Sequence, residues 1–118
     1  MSLSQLVEYS TWNFENKQLL LQAELHCLNG RYALAELVYQ SSIASAQDHK
    51  FIHEEAMACE LYGMYLIENK KVMKGMKQLQ IAKKKYKQWG ALRKAGAVKD
   101  FIELVNQLNS ADVIFKSE

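Results

Sequence analysis

The histidines are the residues of this chain whose type and spacing come closest to a metal site. His53 is followed by two glutamates, as in a His-Glu-x-x-His zinc site, but Met57 stands where the second histidine would be. His49 lies four residues before His53, a spacing at which two ligands on one helix can share an ion, and no third ligand accompanies the pair. We therefore interpret Glu54 and Glu55 as the first turn of a helix, where carboxylates interact favourably with the helix dipole. No metal or other cofactor is predicted.

The two cysteines are the other candidate reactive groups. Cys27 and Cys59 both lie within helical apolar patterns, which predicts reduced thiols in the core of an intracellular protein, with a disulfide as the alternative. The sequence contains no Ser-His-Asp or Cys-His set, no glycine-rich phosphate loop and no kinase motif. We therefore expect that the protein is not an enzyme.

The composition predicts a single all-helical domain. Of the 118 residues, 49% are hydrophobic, 24% are charged and none is proline, which is costly inside a helix. No run approaches the roughly 18 apolar residues of a membrane span, and the first residues lack the basic start of a signal peptide. A cytoplasmic protein without membrane association is the expectation. The net charge of +2 is too small to indicate nucleic-acid binding by itself.

Apolar residues at steps of three and four predict five helices, with glycine or asparagine at several of the turns. The helices are expected over residues 14–28, 32–47, 51–68, 72–89 and 91–108. Residues 1–12 are expected as a separate N-terminal segment that can form a short helix, with Trp12 as the anchor where it joins the body. The helical domain then spans residues 13–109, and residues 110–118 form a polar tail.

The middle of the sequence repeats itself after 40 residues. Small residues recur at this interval where two helices must approach closely: Ala23 with Gly63, Ala35 with Gly75, and Ser42 with Ala82. Each hairpin of such a repeat buries its apolar face by stacking on a neighbour. The sequence therefore predicts an all-α, right-handed stack of two helical hairpins with a C-terminal capping helix, an α-α superhelix.

This pattern resembles the tetratricopeptide repeat. Its small–large–small signature is carried by Ala23, Gly30, Tyr32, Ala35, Tyr39 and Ser42 in the first unit, and by Gly63, Val72, Gly75, Leu79 and Ala82 in the second. The period exceeds the usual 34 residues, so the connection around residues 47–51 is expected to take up the excess. Lys70 stands where the second unit would have its turn glycine.

A second resemblance covers residues 13 to about 101. The blocks that carry it are Asn13-Phe14-Glu15-Asn16-Lys17, Gln22-Ala23-Glu24, Gly30-Arg31-Tyr32, His53-Glu54-Glu55-Ala56 and Tyr86-Lys87-Gln88-Trp89-Gly90-Ala91. Together they are similar to the helical-repeat segment of large signalling proteins that combine a serine/threonine kinase, a nucleotide-binding ATPase module and a sensor histidine kinase. In that family the segment connects the catalytic modules, so the resemblance implies a scaffold without chemistry of its own.

The first helix of each hairpin supplies the expected binding surface. In tetratricopeptide stacks these helices line the concave face, and here their register brings leucine, methionine and isoleucine there beside glutamates, as suits a partner site. The residues expected to contact a peptide or helix of another protein are Lys17, Leu20, Leu21, Glu24, Cys27 and Leu28 in the first unit and Met57, Glu60, Leu61, Met64, Ile67 and Glu68 in the second. The N-terminal segment, the last helix or a second copy in a homodimer could instead cover this surface.

A lysine-rich stretch is the alternative binding surface. Lys74, Lys77, Lys83, Lys84 and Lys87 lie on the fourth predicted helix and would attract the phosphates of a nucleic acid or an acidic partner. The simpler interpretation is a solvated helix back, because the neighbouring Tyr86 and Trp89 follow the apolar stripe and are expected in the core. A structural subunit of a larger assembly is the third reading, since about three repeats are normally needed for an independent solenoid.

Overall fold

The structure is a computed structural model that describes residues 2–110 as five α-helices. They are α1 (Leu3–Leu28), α2 (Tyr32–His49), α3 (Ile52–Glu68), α4 (Val72–Trp89) and α5 (Leu92–Ser110). No strand occurs among these residues, which confirms the all-helical prediction. None of the described helices is long and apolar enough to cross a membrane. The predicted tail beyond Ser110 lies outside the described residues.

The N-terminal segment is not a separate element, contrary to our expectation. Residues 3–28 form one helix, which begins with a capping box: Gln5 N donates to Ser2 Oγ at 3.2 Å, and Ser2 N donates to Gln5 Oε1 at 2.7 Å. Nothing in this stretch interrupts it, because it contains neither glycine nor proline. Trp12 is the anchor that was expected, since it is buried and its Nε1 donates to Ser45 Oγ at 2.8 Å.

The 40-residue repeat is present in the backbone. Tyr32 and Val72 begin α2 and α4, and Leu28 and Glu68 end α1 and α3. The turns repeat as well: Arg31 N donates to His26 O and Lys71 N to Leu66 O, both at 2.8 Å. The turn between α1 and α2 and the turn between α3 and α4 therefore have the same backbone hydrogen bond. The repeat is thus present in the backbone and not only in the residue types.

The long period is not absorbed by a loop. The expected extra residues at 47–51 are mostly helical, because α2 continues to His49 and only Lys50 and Phe51 separate it from α3. The helices α2, α3 and α4 have 18, 17 and 18 residues, so the period is long because the helices are long. Lys50 takes the left-handed conformation that closes α2, with φ of 60°.

The small residues lie at the helix contacts, as predicted. Ala23 and Ala35 are fully buried between α1 and α2. A Cβ atom added at Gly75 would lie 2.7 Å from the carbonyl oxygen of Gly63, so α3 and α4 touch backbone to backbone. The central helix α3 is buried on two sides, because it contributes to one cluster with α1 and α2 and to a second with α4 and α5.

Two aromatic residues expected in apolar stripes are largely exposed. Trp89 is 61% exposed and Tyr32 is 49% exposed, whereas Tyr86 is buried as expected. Trp89 is the last residue of α4 and Tyr32 the first of α2. Helical spacing predicts on which side of its helix a residue lies. It does not predict how far along the helix axis a neighbouring helix covers that side.

Candidate functional site

A cleft of about 550 Å³ opens between the C-terminal halves of α1 and α3. The N-terminal half of α2 forms its floor. The cleft is lined by Glu24, Cys27 and Leu28 of α1, by Tyr32 and Tyr39 of α2, and by Leu61, Met64, Tyr65, Glu68 and Asn69 at the end of α3. It therefore presents apolar, aromatic and acidic groups together.

Tyrosines pack against one another at the base of the cleft. The rings of Tyr39 and Tyr65 lie 5.4 Å apart, and the Tyr65 hydroxyl donates to the Tyr32 carbonyl oxygen at 3.2 Å. Burial is the main reason that the pKa values of Tyr39 and Tyr65 are raised to about 12. Both phenols therefore stay neutral at physiological pH and offer ring surface and a hydroxyl dipole, not charge.

Two carboxylates give the cleft its electrostatic character. Glu24 and Glu68 are exposed, and neither forms an ion pair or a side-chain hydrogen bond with any described residue. Their field reaches Cys27: burial, then Glu68 and then Glu24 raise the pKa of its thiol. The cleft is thus negative and suits a cation, while Cys27 stays protonated and is a poor nucleophile at neutral pH.

The structure brings together part of the predicted binding surface. Glu24, Cys27, Leu28, Leu61, Met64 and Glu68 all line the cleft. Leu20 and Ile67 do not, because they are only 7% and 6% exposed and pack in the two core clusters. Placing them on an accessible face was wrong.

Four other predicted contact residues are separate from the cleft. Glu60 lies on the opposite flank of α3, where its Oε1 accepts from the Tyr86 hydroxyl at 2.7 Å and pairs with Lys94 Nζ at 3.3 Å. Met57 is half-buried against the first core cluster. Lys17 and Leu21 are exposed but do not line the cleft. The prediction treated one side of each helix as a single surface, whereas α3 has neighbours on both sides.

The tyrosines and Asn69 of the cleft were missed by the sequence analysis. Tyr32 and Tyr39 had been assigned to the small–large–small signature of the first unit, and Tyr65 had no assigned role. A usable signal was present, because tyrosines recur near both hairpin turns and tyrosine is common at sites where an apolar ring and a polar tip are both needed.

The His53 segment has a structural role. Glu54 and Glu55 lie in the first turn of α3, as predicted, but both are buried. Glu54 accepts a hydrogen bond from the Tyr9 hydroxyl of α1, and Glu55 accepts one from Gln47 at 3.0 Å. Among residues 2–110 no group of three or more histidine, cysteine or acidic side chains is placed to hold a metal.

The cysteines are free thiols in the structure. Cys59 is buried in the core, as expected, and burial raises its pKa to about 12. Cys27 is only half-buried and belongs to the cleft wall.

The predicted lysine surface is partly assembled on α4. Lys74, Lys77, Lys84 and Lys87 are exposed, while Lys83 is half-buried. At 100° per residue Lys77 and Lys84 project from the same side, opposite the buried Leu79 and Ala82. None of these lysines lines the cleft between α1 and α3.

A second cleft lies at the other end of the helices. It is lined by Gln5 and Glu8 of α1, by Asp48 and His49 at the end of α2, and by Phe51. His49 is engaged there, because its Nδ1 lies 2.8 Å from the Ser45 carbonyl oxygen and its ring stacks 5.6 Å from Phe51. None of the residues predicted to bind a partner belongs to this cleft.

The fold and the first cleft define an all-helical protein with a 40-residue structural repeat and an acidic, tyrosine-floored groove. Comparison with known protein families, with curated proteins and with solved structures finds no match to this chain. Function must therefore be argued from the cleft itself.

Proposed function

We propose that this protein is a non-catalytic helical-repeat protein that binds a segment of another protein in the cleft between α1 and α3. The observation that carries the proposal is the combination of an apolar, aromatic wall with two carboxylates, Glu24 and Glu68, that pair with no described residue. Partner recognition by helices commonly uses apolar anchors for affinity and charged rims for selection. The expected ligand is a peptide or helix with an apolar side chain next to lysine or arginine.

The anchor position is set by Leu61, Met64 and the tyrosine base. Met64 is 37% exposed and lines the cleft together with Leu61 and Tyr65. Methionine adapts its shape to irregular ligands, so this wall tolerates several apolar side chains. Selection therefore rests on Glu24 and Glu68, which are a good match for the charge of a guanidinium or ammonium group.

The architecture proposed for this function is a tetratricopeptide-like right-handed stack. The recurrence of helix bounds and turn hydrogen bonds after 40 residues supports it, as does the burial of the small residues of the signature. The resemblance to connector segments of kinase–ATPase–histidine kinase proteins suggests a scaffold in cytoplasmic signalling. This part of the proposal rests on sequence blocks, and the cleft does not depend on it.

A peptide-display selection followed by fluorescence anisotropy tests the proposal. Peptides that pair an apolar residue with arginine should be enriched, and replacement of the arginine by glutamate should abolish binding. Glu68→Lys should weaken the selected peptide about tenfold or more, since a charge-assisted hydrogen bond contributes roughly 1.5–3 kcal/mol. Glu103→Lys is the matched control, because it makes the same charge change at an exposed position of α5 away from the cleft.

A second pair of variants tests the apolar wall. Met64→Glu should remove peptide binding, whereas Leu37→Glu, at an exposed leucine of α2 outside the cleft, should leave it unchanged. Equal affinity of Met64→Glu and the unmodified chain, or equal losses in Glu68→Lys and Glu103→Lys, would show that this cleft is not the binding site.

The lysine surface of α4 supports a second candidate function, the binding of a nucleic acid or another acidic partner. Lys74, Lys77, Lys84 and Lys87 are exposed and form no ion pair with a described residue. Binding of labelled single-stranded RNA should then weaken steeply with salt and fall further in Lys77→Glu/Lys84→Glu. A salt-independent signal, or none below 50 mM salt, would remove this candidate.

A further inference from the structure

The side of α1 that faces away from the body is mostly apolar, with Ser10 as an exposed polar residue within it. Six exposed residues lie along it, with exposed fractions between 48% and 83%: Leu3, Val7, Phe14, Leu21, Leu25 and Leu28. At 100° per residue they fall within about 60° of one another, opposite the buried residues Trp12, Asn16 and Ala23. We call these six residues the outer stripe of α1. A helix on the surface of a single molecule normally has polar residues there.

The repeat shows what this side of the helix does elsewhere in the molecule. Phe14 and Leu25 correspond, 40 residues on, to Glu54 and Tyr65 of α3, each of which is only 5% exposed. These two α3 residues contact the preceding hairpin through the Tyr9 hydroxyl and the Tyr32 carbonyl oxygen. At these two of its six positions the outer stripe therefore corresponds to a stacking face of α3, and no described residue is stacked on it.

The exposed area of the outer stripe is that of a protein–protein interface. A residue the size of leucine or phenylalanine has roughly 150–200 Å² of accessible surface, so the six residues expose on the order of 650 Å². Two such stripes, if each fully covered the other, would bury up to about 1,300 Å², at the lower end of the range of stable, specific interfaces. The stripe also exceeds the few hundred Å² of contiguous apolar surface that a monomer usually exposes.

The spacing of the outer stripe fits a second α1. Val7, Phe14, Leu21 and Leu28 are each seven residues apart, the spacing of one core position in a left-handed pair of helices. A copy of α1 has the same length and pattern, so apolar residues oppose one another in either direction; for example, Phe14 can face its own copy while Val7 faces Leu21 of the other chain. A symmetric pair closes on itself and leaves neither stripe exposed.

We propose that two copies of this chain pair through the outer stripes of their α1 helices. The interface is distinct from most of the cleft, which it meets only at Leu28, so the two proposals can succeed or fail separately.

The oligomeric state of the full chain tests the pairing. Sedimentation velocity at about 1–100 µM should show a dimer for the unmodified chain and a monomer for Leu21→Glu. Leu37→Glu is the matched control, because Leu37 of α2 is 59% exposed, the same fraction as Leu21, and lies outside the outer stripe. It should remain dimeric. Phe14→Glu, at a second position of the stripe, should reproduce the monomer, and circular dichroism should show full helix content in all variants.

Three results would overturn the pairing. The first is an unmodified chain that is monomeric across this concentration range, which would leave the stripe to a different partner. The second is a dimer that persists in both Leu21→Glu and Phe14→Glu, which would locate the contact elsewhere. The third is equal dissociation of Leu21→Glu and Leu37→Glu, which would mean that any charge on the surface has this effect.

Discussion

The contact between α3 and α4 makes Gly75 the most informative position for mutation. A Cβ atom at Gly75 would lie 2.7 Å from the carbonyl oxygen of Gly63 and 2.6 Å from Cγ1 of Ile67, whereas ordinary contacts begin near 3.4 Å. Ile67 is 6% exposed and has little room to move. The two helices must therefore separate by several tenths of an ångström to accept alanine.

The net effect of Gly75→Ala follows from two opposing contributions. Overpacking a tight core contact costs about 1–3 kcal/mol. Alanine favours a helix interior by about 1 kcal/mol relative to glycine, which offsets part of that cost. We expect a net loss of up to about 2 kcal/mol in the free energy of unfolding, or up to roughly 8 °C in Tm for a chain of this size.

Gly96→Ala is the matched control for this prediction. Gly96 lies within α5, and a Cβ atom there would meet no atom within 4 Å. Only the helix-propensity gain remains, so this variant should be more stable by about 1 kcal/mol. Thermal and urea unfolding of both variants check the pair. If Gly75→Ala proves as stable as Gly96→Ala, the close backbone contact does not exist and the α3–α4 packing is misplaced.

Three further predictions concern a turn, a buried carboxylate and a buried thiol. Lys70 has φ of 64°, a left-handed conformation that glycine adopts more easily than lysine. Lys70→Gly should therefore raise the free energy of unfolding by about 0.5–1 kcal/mol in urea melts. An unchanged free energy of unfolding would show that the turn is not strained. Tyr9→Phe removes the hydroxyl that donates to buried Glu54 and should cost about 1–3 kcal/mol by the same assay, whereas Tyr32→Phe, at an exposed ring, should cost little. Because burial raises the pKa of Cys59 from 9.0 to about 12, the unfolded state loses this proton first as pH rises. This thiol should therefore leave the free energy of unfolding unchanged below pH 9 and lower it above pH 9, by up to about 1.4 kcal/mol per pH unit. The fall should be smaller in Cys59→Ala. Equal slopes of the free energy of unfolding against pH in the two chains between pH 9 and 10 would contradict the assignment.

The helix α3 couples the two halves of the molecule. Its one side packs against α1 and α2, and its other side packs against α4 and α5. The carboxylates of its first turn contact both halves: Glu54 accepts a hydrogen bond from Tyr9 of α1, and Glu55 forms an ion pair with Lys85 of α4 at 3.7 Å. Damage to α3 should therefore disturb the cleft and the C-terminal helices together.

The sequence was sufficient for the five helices and for their closest contacts, except that it did not predict that α1 begins at Leu3. Helix formers, the absence of proline and steps of three and four residues define the five helices, because these are local properties of the backbone. The sequence also predicted close helix contacts at Ala23, Ala35, Gly63 and Gly75. A small residue that recurs within an apolar stripe indicates a position where a larger side chain does not fit. Local chemistry and a 40-residue period thus settled which segments are helical and which of their sides must approach.

Only the tertiary structure decided which apolar residues remain accessible. Leu20 and Leu21 are neighbours of the same type, yet the first is 7% exposed and the second 59%. Glu60 and Glu68 lie on one helix, yet the first is held by Tyr86 and Lys94 while the second lines the cleft. Helical periodicity assigns a residue to a side of its helix, but accessibility depends on where the neighbouring helices begin, end and cross. That information is held in contacts between residues far apart in the chain, so the cleft and the outer stripe emerged only when all five helices were placed together.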